Sequence, residues 1–218
     1  MKELTLKQAA EDCRGTLTPE QAEGMITGVQ IDSRRVKPGD LFVAIKGEKS
    51  DGHNFIDMAA SLGAAAALVE RPVKASIPTI LVPDTVKAYG DLAAARRERM
   101  GVTVIGITGS VGKTTTKEMT ACMLERTYRT ARTEGNHNNN IGLPMTILDM
   151  PDDTETAVLE LGMNHFGEMA RLTSIAKPDI AVITNIGTMH IEHLGSREGI
   201  LQAKLEIFRG VPENGVGV

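Results

Sequence analysis

Residues 108–116 read TGSVGKTTT, a glycine-rich turn that runs from an apolar segment, VTVIGI, into a segment of helical spacing. Strand, glycine turn, lysine and hydroxyls in that order constrain this chain more than any other feature, because they demand a strand end that faces a helix N-terminus. Gly109 and Gly112 let the backbone curl until successive N–H groups converge on phosphate oxygens, where the helix dipole also favours an anion. On this reading Gly109, Ser110, Val111, Gly112, Lys113, Thr114 and Thr115 form a nucleotide site. Lys113 reaches the β and γ phosphates, and Thr114 ligates Mg²⁺, with Thr115 its nearest substitute. The loop departs from the general pattern at Ile107, where a glycine is usual, and is spaced GxxGxxGKT from Gly106. The alternative is a glycine-rich turn with a solvated lysine.

The segments around the loop set the fold class. From residue 102 the pattern alternates: strand 102–107, helix 113–125, strand 157–161, helix 168–175, strand 180–184, helix 197–208. That alternation predicts an α/β fold with a doubly wound, mostly parallel sheet. The turn signal PENG at 212–215 leads into Val216-Gly217-Val218, the start of a further strand, so the P-loop domain reads as truncated.

Upstream, a helix over 5–11 opened by Thr5 precedes a loop punctuated by Gly15, Pro19 and Gly24. Strands over 29–32 and 41–45, joined through Lys37-Pro38-Gly39-Asp40, form a hairpin or a neighbouring pair. A helix over 55–62, strands over 66–70 and 79–82, and a long helix capped by Asp84 and running to about Arg99 complete this part. The expected organisation is a small N-terminal α/β domain, 1–82, and a P-loop domain, 83–218, with the boundary inside 82–100. The basic cluster Arg96, Arg97, Arg99 reads as a solvated helix face.

Composition excludes several classes. A net charge of −4 does not announce a nucleic-acid binder, and 41% hydrophobic with 24% charged residues is ordinary for a folded domain. Aromatic residues make up only 3%, so aliphatic side chains fill the core. Two distant cysteines, Cys13 and Cys122, rule out a disulfide scaffold. No run approaches the roughly 18 apolar residues of a membrane span and the N-terminus lacks a signal core, so a cytoplasmic protein is expected.

Further candidates lie where strands end. Glu160 closes AVLEL, where it either ligates Mg²⁺ or faces solvent. His190 and His193 follow IAVIT; His190 has a Mg²⁺ or phosphate role, or both belong to a surface turn, while a zinc site would need a third ligand and better spacing. His165 carries a weaker form of the same argument. Lys204, in AKLEIF, reads as a solvated lysine. The run TEGNHNNNIGLP, with Asn136, Asn138 and Asn139, is either a turn-rich linker or an amide-rich surface for peptide or sugar recognition. In the first domain Ser33, Arg34, Lys46 and His53 either hold a phosphorylated ligand or form a basic surface loop.

Taken in order, TGSVGKTTT, GNHNNNIGLP, LELGMNHFGE, TNIGTMHIEHLGS and AKLEIF resemble the Mur ligases, the ATP-dependent amide-forming enzymes of peptidoglycan precursor synthesis, across essentially the whole chain. The Asn-rich element is similar to that of the members that join D-alanyl-D-alanine to UDP-N-acetylmuramoyl-tripeptide. The resemblance implies that Lys113 holds the ATP phosphates, that Thr114 and Glu160 bind Mg²⁺, and that His190 and a carbamylated Lys204 serve a second Mg²⁺. Lys113, Lys204 and His190 would then carry catalysis. It further implies that Ser33, Arg34, Lys46 and His53 lie near the uridine diphosphate, with Asn136, Asn138 and Asn139 on the substrate side. The expected partners are these two substrates, with no nucleic acid and no membrane span, acting on a monomer. The family has three domains, and this chain ends inside the central one, which predicts a fragment with little ligase activity of its own. Two other readings remain: a sister ligase adding the third amino acid, and a non-catalytic uridine-nucleotide-binding fragment.

Overall fold

The computed structural model describes residues 2–20, 22–189 and 191–218. The chain divides into two compact units, Met1–Leu92 and Ala93–Val218. The division falls inside a continuous helix, Thr85–Met100, whose first turn is capped by the Asp84 carboxylate accepting from Lys87 N at 2.9 Å.

The first unit opens with β1 (Leu4–Thr5) and α1 (Leu6–Asp12), with Thr5 Oγ1 accepting the Gln8 amide as N-cap. Strands β2 (Thr16–Thr18), β3 (Met25–Ile26), β4 (Gly28–Gln30) and β5 (Asp40–Val43) follow, then α2 (Ile56–Ser61), β6 (Ala66–Val69), β7 (Thr79–Leu81) and the long helix α3 (Thr85–Met100). Its main sheet has the order β2-β7-β6-β5-β4, parallel except that β2 runs against β7, while β1 and β3 form a separate antiparallel pair. Of the two arrangements open for the β4 and β5 segments, the neighbouring pair is the one observed. They pair parallel, Val29 opposite Leu41, because a 3-10 turn at Ser33–Arg35 carries the chain back before β5 begins. Strands β2 and β3 lie in the segment whose Gly and Pro residues had suggested only loop. Phe42, Ala44, Ile56, Ala59, Ala67 and Val69 form an aliphatic-rich core.

In the second unit the strands are β8 (Thr103–Thr108), β9 (Thr130–Arg132), β10 (Thr156–Glu160), β11 (Ile180–Ile183) and β12 (Val216–Gly217). Their order is β12-β11-β8-β10-β9 and every pairing is parallel. The helices are α4 (Lys113–Leu124), α5 (Gly142–Asp149), α6 (Glu168–Ala176), α7 (Ile191–Leu194) and α8 (Arg197–Leu205), the last continued by a 3-10 segment, Glu206–Gly210. Apolar side chains of β8, β10 and β11 pack with Ala121 and Leu124 of α4. The central β8 has β10 on one side and β11 on the other, so the chain reverses its direction of winding there. Ligand sites of open α/β sheets form at the carboxyl ends of strands around such a point.

Arg96 and Arg97 differ from the expected solvated face, whereas Arg99 is exposed. Arg96 is 7% exposed and donates to the Ile147 and Met150 carbonyls and to Asp152, and Arg97 donates to the Ala176 and Lys177 carbonyls. These carbonyls end α5 and α6, where a helix leaves its last C=O groups without internal partners. Among the described residues no helix is long and apolar enough to cross a membrane.

Candidate nucleotide and metal site

The phosphate loop joins β8 to α4. Gly109 has φ +153° and a Cβ there would stand 1.9 Å from Thr184 Oγ1, while Gly112 caps α4 at φ +82°; both conformations are open to glycine alone without strain. Behind Gly112, the amides of Lys113, Thr114 and Thr115 are first-turn donors, which a helix leaves without internal acceptors. Lys113 Nζ folds back onto the Gly109 carbonyl at 2.8 Å, across the mouth of the loop.

Glu160 stands at the end of β10, beside β8. It is 3% exposed, so the solvent-facing alternative is set aside. Thr114 Oγ1 donates to its Oε2 at 2.9 Å and Asn138 Nδ2 donates to its Oε1 at 2.9 Å. The Glu160 amide in turn donates to Thr133 Oγ1 at 3.0 Å. Among the described residues no Lys or Arg pairs with this carboxylate, so a buried negative charge is held by two neutral donors. Such a charge calls for a cation, and a set of hydroxyl and carboxylate oxygens suits a hard one.

The Asn-rich run is a frame around that carboxylate. Asn138 holds Glu160 directly, and Asn139 Oδ1 accepts from the Ile141 and Gly142 amides, capping α5. Asn136 is exposed. Helix α5 begins at Gly142, so the last residues of the run are helical and Pro144 sits in the first turn, where its missing N–H does no harm.

Lys204 departs from the solvated lysine that its sequence context suggests. It lies on α8, is 2% exposed, and its Nζ has no hydrogen-bond partner among the described residues. Burial, aided by the charge of Lys113, lowers its pKa from 10.5 to about 8. His190 lies outside the described residues. His193 and His165 are exposed, with ring centroids 4.6 Å apart, and no cluster of three His, Cys, Asp or Glu suited to a metal occurs among the described residues.

In the first unit, Arg34 and Lys46 are exposed, whereas Ser33 and His53 are buried at 7%. Arg34 forms a two-point pair with Asp32, which holds that carboxyl down to about 2. Ser33 Oγ donates to Met58 Sδ at 3.4 Å. His53 Nε2 accepts the Glu70 amide at 3.1 Å, so the proton sits on Nδ1, which donates to Asp51 at 2.6 Å. Both ring nitrogens are occupied internally and neither is open to a ligand. The His53 amide, its ring and Arg71 together keep Asp51 below the ordinary carboxylate range.

Two contributors escaped sequence reasoning. Lys117, 1% exposed on α4, donates to the Thr133 carbonyl at 2.6 Å and pairs with Glu118, tying α4 to the residue that supports Glu160. Its spacing from Thr114, one turn along the same helix, is the signal that could have found it. Asn185, just past β11, contacts the phosphate loop; the adjacency of β11 to β8 was its only clue.

Comparison with known proteins gives a consistent result. The family model described as the Mur ligase middle domain matches residues 107–218, and that described as the Mur ligase family catalytic domain matches residues 25–100. The UDP-N-acetylmuramoyl-tripeptide–D-alanyl-D-alanine ligase of Bacillus subtilis is 49% identical over 99% of this chain, and that of Escherichia coli 44% identical over 100%. This chain spans about half the length of these relatives, 48% of each. A crystal structure of MurF from Acinetobacter baumannii superposes over the whole chain and 48% of its own, with a TM-score of 0.94 and 42% identity. MurF ligase from Thermotoga maritima in complex with ADP matches 87% of this chain and 44% of its own, with a TM-score of 0.83 and 40% identity.

Proposed function

The chain belongs to the Mur ligase family, and on that premise we propose that it supplies the nucleotide site of an ATP-dependent ligase that joins D-alanyl-D-alanine to UDP-N-acetylmuramoyl-tripeptide. The observation that carries this reading is the buried Glu160 carboxylate, fixed by Thr114 and Asn138 beside a phosphate loop headed by Lys113. The relatives named for that reaction support the choice of substrates, and the ADP complex of the Thermotoga enzyme supports the nucleotide. ATP and a UDP-linked substrate also suit a cytoplasmic enzyme.

In the proposed reaction a carboxylate of the tripeptide attacks the γ-phosphorus of ATP, ADP leaves, and the resulting acyl phosphate is captured by the amine of D-alanyl-D-alanine with release of phosphate. Lys113 moves from the Gly109 carbonyl onto the phosphates, and the first-turn amides of α4 hold the phosphate oxygens in line. Thr114 and Glu160 would hold Mg²⁺, with His190 and Lys204 the candidates for a second ion. Bound there, Mg²⁺ would supply positive charge to offset the negative charge spread over the oxygens of the transferred phosphoryl group. Lys204, with its pKa near 8, keeps about a tenth of its amine neutral at pH 7. A neutral amine can add CO₂ and lose a proton, which turns the side chain into a carbamate anion. Arg34 and Lys46 are the exposed cations offered to the uridine diphosphate in the first unit.

Calorimetric titration of the chain with ADP in Mg²⁺, and with UDP-N-acetylmuramoyl-tripeptide against UDP alone, tests the proposal. Saturable ADP binding that Lys113→Ala abolishes, and tripeptide binding tighter than UDP, are expected. Binding of neither ligand by folded chain would sink it.

A further inference from the structure

Two residues of the phosphate loop do not face a ligand with their amides. Ser110 N donates to the Asn185 carbonyl at 3.1 Å, and Val111 N donates to the Asn185 side-chain Oδ1 at 3.0 Å. The opposite polarity is also satisfied: Thr184 Oγ1 donates to the Val111 carbonyl at 2.6 Å, and Gly187 N donates to Ser110 Oγ at 2.9 Å. Four hydrogen bonds thus join 110–111 to the segment that follows β11.

The Ser110–Val111 peptide is flanked by Gly109 and Gly112, both at positive φ. Glycines on either side give it little intrinsic reason to keep one orientation. Val111 is 57% exposed and packing does not hold it. The latch to 184–187 is what remains, and within it the bond to Asn185 Oδ1 is the one made by a single, exposed side chain.

We propose that Asn185 is a positioning residue for the phosphate loop, locking the Ser110–Val111 peptide so that phosphate meets the amides from Gly112 to Thr115. The proposal rests on the nucleotide reading above. The chemistry explains the residue type: the Val111 amide needs an acceptor, but an anionic acceptor would repel the phosphate a few residues away. A neutral amide accepts without charge. Serine and valine at 110 and 111, counted with the phosphate ligands by sequence motif, are the held part of the loop rather than its binding part.

Asn185→Ala deletes the acceptor, and Asn185→Asp keeps it while adding the charge. Both are made in the full 218-residue chain and titrated with ADP and ATP in Mg²⁺, with Lys113→Ala as control. The Ala variant is expected to bind ADP about 3- to 10-fold more weakly, the effect of one hydrogen bond, with a loss indifferent to salt. Its ligand-free melting temperature stays within about 2 °C of the parent, since an exposed side chain is changed. The Asp variant loses more with ATP than with ADP, and recovers as salt rises from about 0.05 to 0.5 M. Hydrogen exchange at the Val111 amide in the ligand-free chain reads the lock without nucleotide: protection at least about tenfold greater in the parent and the Asp variant than in the Ala variant. Equal Val111 exchange in parent and Ala variant, or equal ADP affinity, overturns the proposal. A parent that fails to bind ADP while Val111 remains protected through Asn185 overturns the nucleotide reading and leaves the lock standing.

Discussion

Arg96→Met should destabilise the second unit severely, although the residue lies in a run of charges that sequence alone assigns to solvent. The guanidinium donates from Nε to the Ile147 carbonyl at 3.2 Å, from Nη2 to the Met150 carbonyl, and from Nη1 to Asp152 at 2.9 Å. Methionine fills similar space but strands two carbonyls at the end of α5. A hydrogen bond from a charged donor is worth about 1.5–3 kcal/mol, and three made by one group do not add fully. The expected loss is therefore about 3–5 kcal/mol, the range for breaking a buried charged cluster by removing one member. Arg96→Lys, able to replace at most part of the fork, should fall between. The chain has two tyrosines and no tryptophan, so in a Tyr89→Phe background the fluorescence of Tyr128 follows the second unit through a urea titration. A loss below about 1 kcal/mol would show that water replaces Arg96 at those carbonyls and that the burial argument is wrong. Because Asn139 caps the other end of α5, the substitution should also loosen the Asn138 hold on Glu160.

Three more expectations are independent of Arg96. Lys204 has a lowered native pKa, so between about pH 8 and 10.5 the unfolded chain binds the proton that the native chain has released, and stability rises with pH. Lys204→Met should be the more stable protein at pH 7.5, with an advantage that shrinks by about 2 kcal/mol, after allowance for solvent screening, on going to pH 10.5 in urea melts; a difference constant with pH would contradict the assignment. Burial pushes the Cys13 thiol up to about 11 and Cys122 is exposed, so a disulfide reagent at about pH 8 should modify only Cys122 in the folded chain and both thiols in denaturant. Gly109→Ala would force a methyl to 1.9 Å from Thr184 Oγ1 at a φ hostile to alanine, and should weaken ADP binding at least about tenfold; calorimetry giving the parent affinity would refute it.

The parts of the structure that sequence made legible are those in which local pattern and tertiary demand agree. The run before the phosphate loop is apolar and β-branched, as a strand buried in a parallel sheet must be, and β8 with α4 forms where expected. Strand β9 was invisible because Thr130–Arg132 is short and half-buried at a sheet edge, where no hydrophobic run is required. Helix α5 was hidden by Gly142 and Pro144, which signal a turn by composition yet are harmless in a first turn. At the site, the phosphate-loop residues and Glu160 could be picked from motif and strand end. The burial of Lys204 and Arg96, the internal bonds of His53 and the contact of Asn185 with Val111 depend on which segments become neighbours, and residues 74 apart in sequence carry no local sign of that.

The order of strands in the second unit also has a consequence for how the chain emerges during synthesis. Strand β8 is central, yet its partners β10 and β11 begin roughly 50 and 75 residues after it, and β9, the first strand to follow, pairs only with β10. At about 5–20 residues per second, the ribosome takes several seconds to deliver either neighbour. During that interval Ile105 and Ile107 can be covered on one side by α4, through Ala121 and Leu124, while both hydrogen-bonding edges of β8 stay open. The central strand of the finished unit is thus the one that waits longest with both edges unpaired, the interval in which a nascent chain is most open to wrong pairing.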